Sequence, residues 1–150
     1  MKYLVVAIIL ACLVSCSPFG FNPAGYEKMD KNLYTAWDKT SSHKYIAEGK
    51  YSQYWKSPKQ FEADGGGDCE DFTGYLMYQL GEGEAVIVTC QDDGKESCHC
   101  IIRYRGQYLE PQRLGEYLPI ESLGWKIYEV YSWDAYMAKI TDFGTRRIPG

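Results

Sequence analysis

The apolar positions of this chain change period part-way along it. Met29, Leu33, Ala36 and Trp37 recur at helical spacing and predict a helix over residues 26–39. An aromatic segment containing Tyr45, Tyr51, Tyr54 and Trp55 follows and ends at Ser57-Pro58. Proline suits the first turn of a helix and serine its N-cap, so a short helix is expected over 58–63. Gly65-Gly66-Gly67 cannot be helix interior and frees the backbone for a close approach. Asp68 then reads as an N-cap, with Asp71 three residues on, near the capping-box spacing. The helix this predicts runs over Cys69–Leu80. Its buried stripe is Phe72, Tyr75, Leu76, Gln79 and Leu80, and Gly81 and Gly83 end it.

After Gly83 the pattern becomes that of strands. Residues 85–90 are a β-branched run, and 91–97 are polar with Asp93-Gly94, a hairpin signal. A second strand is expected over 98–104, a turn at Arg105-Gly106, a third strand over 107–110 and a fourth over 126–132. Residues 133–140 fit helix and strand equally. Helices followed by an antiparallel meander make an α+β fold, with the Cys69 helix packed on the sheet. The chain has no internal repeat and no low-complexity segment.

The first residues have the layout of an export signal. Lys2 is followed by an apolar run over 4–13, shorter than the ~20 residues that span a bilayer as a helix. Leu13-Val14-Ser15-Cys16 resembles a lipobox, whose cysteine becomes the lipidated first residue of the mature protein. An ordinary signal peptide or a short anchor helix would share the apolar run. Ser17 after the cysteine resembles the pattern for export to the outer membrane of a bacterium with two membranes. The expected organisation is a signal over 1–16 with lipidation at Cys16, a Pro/Gly-containing tether over 17–25 and one domain over 26–150. This places the protein in the cell envelope, at the outer membrane or cell surface. A net charge of −4 and no basic stripe give no electrostatic footprint for nucleic acid.

Gly67-Asp68-Cys69-Glu70-Asp71 carries the chemistry. A helix N-terminus favours thiolate over thiol, and an imidazolium nearby favours it further and delivers a proton to a leaving group. A carboxylate on the far ring nitrogen fixes the tautomer. Cys69, His99 and Glu110 occur in the order that supplies these roles as nucleophile, base and orienting acid. Asp68, Glu70 and Asp71 oppose the first of them, because adjacent negative charge raises a thiol pKa. The site then needs His99 close by or a cation that neutralises the acids.

Other readings of the same residues stand beside this one. Cys69 and His99 also fit a buried helix cysteine and a core histidine. A zinc site from Cys69, Cys98, His99 and Cys100 meets the objection that strand alternation turns Cys98 and Cys100 away from His99, and no Cys-x-x-Cys pair exists. Cys90 and Cys98 are symmetric about Gly94, and a disulfide between them across the hairpin is expected in an oxidising compartment. Cys100 is then a buried free thiol, and Cys12 leaves with the signal. His43, in a polar Ser-Ser-His-Lys loop, reads as a surface residue.

Tyr54-Trp55-Lys56-Ser57-Pro58, Gly66-Gly67-Asp68-Cys69-Glu70-Asp71-Phe72, His99-Cys100-Ile101-Ile102 and Tyr108-Leu109-Glu110-Pro111 together resemble the bacterial transglutaminase-like cysteine peptidases. The resemblance spans about residues 54–112 and implies a papain-like core. It implies Cys69 as nucleophile, His99 as general base and Glu110 as the third member, where the family usually has Asp. The spacings from Cys69 to His99 and on to Glu110 are compressed relative to larger members. The chemistry requires no cofactor. Some relatives, periplasmic proteases that release biofilm adhesins, bind calcium through acids flanking the cysteine, and Asp68, Glu70 and Asp71 match those positions. Helix capping accounts for Asp68 equally well. A backbone N–H at Cys69 is the first candidate oxyanion donor, and Gln53, Tyr54 or Trp55 would add a side chain if that segment folds over the site.

The expected function is a lipid-anchored thiol hydrolase that cleaves amide bonds in a protein or peptide substrate. A peptidoglycan peptidase of the NlpC/P60 kind is the alternative enzyme, although those follow the cysteine with Ser-Gly and this chain has Glu-Asp. A non-catalytic lipoprotein using the same fold as a binding module is the alternative outside enzymes.

Overall fold

The computed structural model describes residues 29–47, 55–92 and 95–145. Helix α1 covers Lys31–Ser41, where Asp30 caps the start by accepting the N–H of Asn32 at 2.8 Å. That cap puts the start later than the apolar spacing implied; residues 26–28 lie outside the described residues. A short strand β1, Lys44–Tyr45, leads on. Helix α2, Pro58–Asp64, has Ser57 as N-cap and Pro58 in its first turn, as expected, and Gly65 ends it in the left-handed conformation.

Gly66–Gly67 form a strand, β2, that pairs in parallel with β1, Lys44 abreast of Gly66 and Tyr45 abreast of Gly67. Here the glycines are required. A Cβ on Gly66 would lie 1.9 Å from the Lys44 carbonyl oxygen, and its φ of +149° disfavours any side chain. Helix α3, Cys69–Leu80, follows at once, closed by Gly81. Its capping box is complete: the Asp68 side chain accepts from the Asp71 N–H, and the Asp71 side chain from the Asp68 N–H.

The main sheet contains β3 (Glu84–Asp92), β4 (Lys95–Tyr104), β5 (Gln107–Leu109) and β6 (Lys126–Tyr131) in the order β5-β4-β3-β6. All its pairs are antiparallel. This corrects the simple meander. The fourth strand does not follow β5 but returns to the far side of β3. The long connection between β5 and β6 makes this pay, because Leu118 and Ile120 within it bury Val86, Val88 and Ile101 on one face of the sheet. The other face carries Ala85, Cys100 and Ile102 and packs on α1 and α3 through Trp37, Leu76 and Met77. Both faces of β3 are therefore covered, which explains its unbroken apolar run.

The ambiguous segment after β6 is helix α4, Trp133–Thr145, with the Ser132 hydroxyl accepting the N–H of Ala135. It adds Tyr136 and Ile140 to the α-helical side of the core. The expected Cys90–Cys98 bridge meets the hairpin register. Cys90 lies abreast of Ser97 and Cys98 abreast of Thr89, one position out of step. Cys98 is an exposed free thiol and Cys100 a buried one. The Cys90 side chain, the signal and tether with Cys12 and Cys16, Gln53, Tyr54 and Asp93-Gly94 lie outside the described residues. Among the described residues no helix is long and apolar enough to cross a membrane.

Candidate active site

The site forms where β5 stops. β4 pairs with β5 only from Tyr104 back to Ile102, which lies abreast of Leu109. Beyond that point the start of α3 takes over the edge of β4. Thr73, one helical turn after Cys69, donates its hydroxyl to the Cys100 carbonyl at 3.1 Å, and the Cys100 N–H reaches the Cys69 sulfur. Helix and strand are thus joined at the residue next to His99. The spacing from Cys69 to Thr73 was present in the sequence, but nothing there marked Thr73 as a partner of the strand.

His99 Nε2 and Glu110 Oε2 are 2.6 Å apart. Glu110 follows β5 directly and is held on every side. Its N–H donates to the Glu116 carbonyl, and its own carbonyl accepts from the Trp37 indole at 2.8 Å. Its other carboxylate oxygen accepts the Gln112 N–H at 3.1 Å. The His99 ring stands edge-on to Trp125, with centroids 6.2 Å apart. Trp37 reads as a core position from its helical spacing, and no spacing signal links it or Trp125 to the site.

The Cys69 thiol donates to Glu70 Oε2 at 2.9 Å. Burial pushes this thiol well above its ordinary range, and the charge and hydrogen bond of Glu70 and the charge of Asp68 push it the same way; the Cys100 N–H acts in the opposite sense. Asp71 turns inward. Its oxygens accept the Lys56 N–H at 2.7 Å and the Asp68 N–H at 3.2 Å, and the Lys56 ammonium lies 3.8 Å away. Lys56 is itself buried and also faces Asp64 at 3.2 Å and the Gly66 carbonyl at 3.1 Å.

These commitments bear on calcium. Among the described residues no group of three or more His, Cys, Asp or Glu side chains is arranged to hold a metal ion. Of the three acids expected to bind one, Asp71 clamps the helix start from within and Asp68 caps it, which leaves Glu70 on the thiol. Each of the three acids thus makes a hydrogen bond within the chain.

The remaining candidates sort simply. Trp55 is a buried core aromatic packed against Tyr131 and Tyr136. His43 is half-buried rather than a free surface residue. Its ring lies against Phe61 and Tyr75 and its Nδ1 is 2.9 Å from the Lys39 carbonyl.

Solved structures with this arrangement of helices and strands decide the fold. The calcium-bound LapG of Legionella pneumophila superposes with a TM-score of 0.55 at 18% identity, covering 73% of this chain and 78% of that one. The chain has the fold of LapG. Two further LapG structures from the same organism, one of them EGTA-treated, give TM-scores of 0.53 and 0.52 at 16% identity, each covering 75% of this chain and 77% of that one. The architecture is therefore α+β with N-terminal helices, as in LapG. No protein-family profile matches the sequence, and no curated protein does.

Proposed function

We propose that this chain is a thiol hydrolase of amide bonds in proteins or peptides, with Cys69 as nucleophile, His99 as general base and Glu110 as the acid that orients it. The observation that carries this reading is the 2.6 Å contact between His99 Nε2 and Glu110 Oε2, made beside the strand edge on which Cys69 is docked. A carboxylate on Nε2 fixes the proton there and leaves Nδ1 to exchange a proton with sulfur and leaving group. The fold shared with LapG and the family resemblance of the motifs support the same reading.

In the proposed reaction His99 takes the Cys69 proton, and the sulfur bonds to the carbonyl carbon. The C–N bond breaks as the imidazolium returns the proton to the departing amine. Water then hydrolyses the thioester and restores the thiol. The N–H at the start of α3 is the proposed oxyanion donor. No step runs through a metal. We further propose lipid anchoring in the cell envelope through Cys16, which metabolic labelling with palmitate tests by loss of label in Cys16→Ala.

One observation favours a second reading. A thiol raised by burial and by Glu70 suits a binding module that keeps the fold without turnover. Alkylation of the full chain with iodoacetamide across pH, mapped by mass spectrometry, separates the two. The enzyme reading expects Cys69 reactivity that depends on His99. Reactivity unchanged in His99→Ala sinks it.

A further inference from the structure

Tyr45 occupies a place that its position in the sequence does not suggest. The β1–β2 pairing sets it abreast of Gly67, two residues before Cys69. The pairing is tight on both sides, with Lys44 N–H bonded to the Gly65 carbonyl at 3.0 Å and Ile46 N–H to the Gly67 carbonyl at 2.8 Å. A strand locked against two glycines has little freedom to carry Tyr45 elsewhere. Its side chain is 56% exposed, and it has no hydrogen bond among the described residues. After burial, the groups that raise its phenol electrostatically are Cys69, Asp68 and Glu70, all of the candidate site. Structural tyrosines of this chain behave differently. Tyr75 and Tyr136 are buried to 1% exposure in aromatic clusters.

We propose that Tyr45 is a substrate-contact residue at the mouth of the site, its ring lying along an extended peptide and its phenol donating to a backbone carbonyl of that peptide. The proposal rests on the thiol-hydrolase reading and adds the element that would recognise the peptide. An exposed aromatic ring offers large contact area at low entropic cost, and the unpaired O–H supplies direction.

The test uses two probes of Cys69 on the full chain. Iodoacetamide reports the thiol alone. A set of acetyl-tripeptidyl chloromethyl ketones, with Ala, Leu or Lys beside the ketone, reports the thiol together with peptide binding. Tyr45→Ala is expected to keep the iodoacetamide rate and its pH profile. It should label about tenfold more slowly with the best peptidyl probe, through a weaker half-saturating concentration and not a slower limiting rate. Tyr45→Phe keeps the ring and should fall between. Equal losses with both probes, or none with either, overturn the assignment. A wild-type chain that peptidyl probes label no better than iodoacetamide overturns it too. If wild-type Cys69 shows no His99-dependent reactivity, the hydrolase reading fails first and Tyr45 falls with it.

Discussion

The Cys69 thiol hydrogen-bonds the Glu70 carboxylate at 2.9 Å, so the nearest acceptor of its proton is an acid and not His99. Burial and Glu70 together hold this thiol above its ordinary range. Glu70→Gln removes the charge and weakens the acceptor. It is expected to move the alkylation profile of Cys69 about one unit toward lower pH, and so to speed labelling about tenfold at pH 7. A group raised on folding contributes stability that is full below its unfolded value and is lost as pH rises past it. The alkaline fall in melting temperature should therefore begin above about pH 8.5 and be shallower in Glu70→Gln. An unmoved profile would mean that burial alone sets this thiol.

Glu110 faces His99 at 2.6 Å and is almost wholly buried. Glu110→Gln keeps the shape and one acceptor but loses the charge that supports an imidazolium. Cys69 alkylation near neutral pH should drop toward the level of His99→Ala, with a stability cost of about 1–3 kcal/mol for the disturbed buried bonds. Glu110→Asp withdraws the carboxylate by one carbon and should fall between. Full reactivity in Glu110→Gln would remove Glu110 from the proposed chemistry.

Much of the local structure was legible because its signals are short-range. Ser57-Pro58 and Asp68 with Asp71 start helices through contacts within one turn, and the β-branched run of β3 follows from burial on both faces. What sequence could not show depends on partners far along the chain. The return of β6 to β3 is decided by Leu118 and Ile120 covering one face of the sheet. The inward turn of Asp71 depends on Lys56, fifteen residues away. Trp37 reaches Glu110 across 73 residues, and its helical spacing announced only a core position. The hairpin symmetry about Gly94 misplaced Cys90 against Cys98 by one residue, because register is set by the whole β3–β4 ladder and not by its turn.

Asp71 holds the start of α3 from within. It accepts two backbone N–H groups and faces the buried Lys56 ammonium. Asp71→Asn leaves that cation with Asp64 and the Gly66 carbonyl and sets an amide against donors. A loss of about 2–4 kcal/mol in denaturant unfolding is expected, since breaking one partner of a buried pair leaves a charge uncompensated. Neither calcium nor a chelator should change the size of that loss. A loss that appears only in calcium would return Asp71 to a ligand role.

Gly66 and Gly65 offer a paired test of how the β1–β2 contact serves the site. Both have positive φ, so alanine is strained at either position. At Gly65 nothing lies within 4 Å of the added Cβ, and the cost should be about 1–2 kcal/mol of backbone strain alone. At Gly66 the Cβ would meet the Lys44 carbonyl oxygen at 1.9 Å, a contact that only separation of the strands relieves. That separation breaks the bonds from Lys44 and Ile46 and disturbs the backbone leading into Asp68 and Cys69. Gly66→Ala should therefore unfold more easily than Gly65→Ala and also change Cys69 alkylation, whereas Gly65→Ala should alter stability with reactivity preserved. Equal behaviour of the two variants in both measurements would show that the strand contact does not position the thiol.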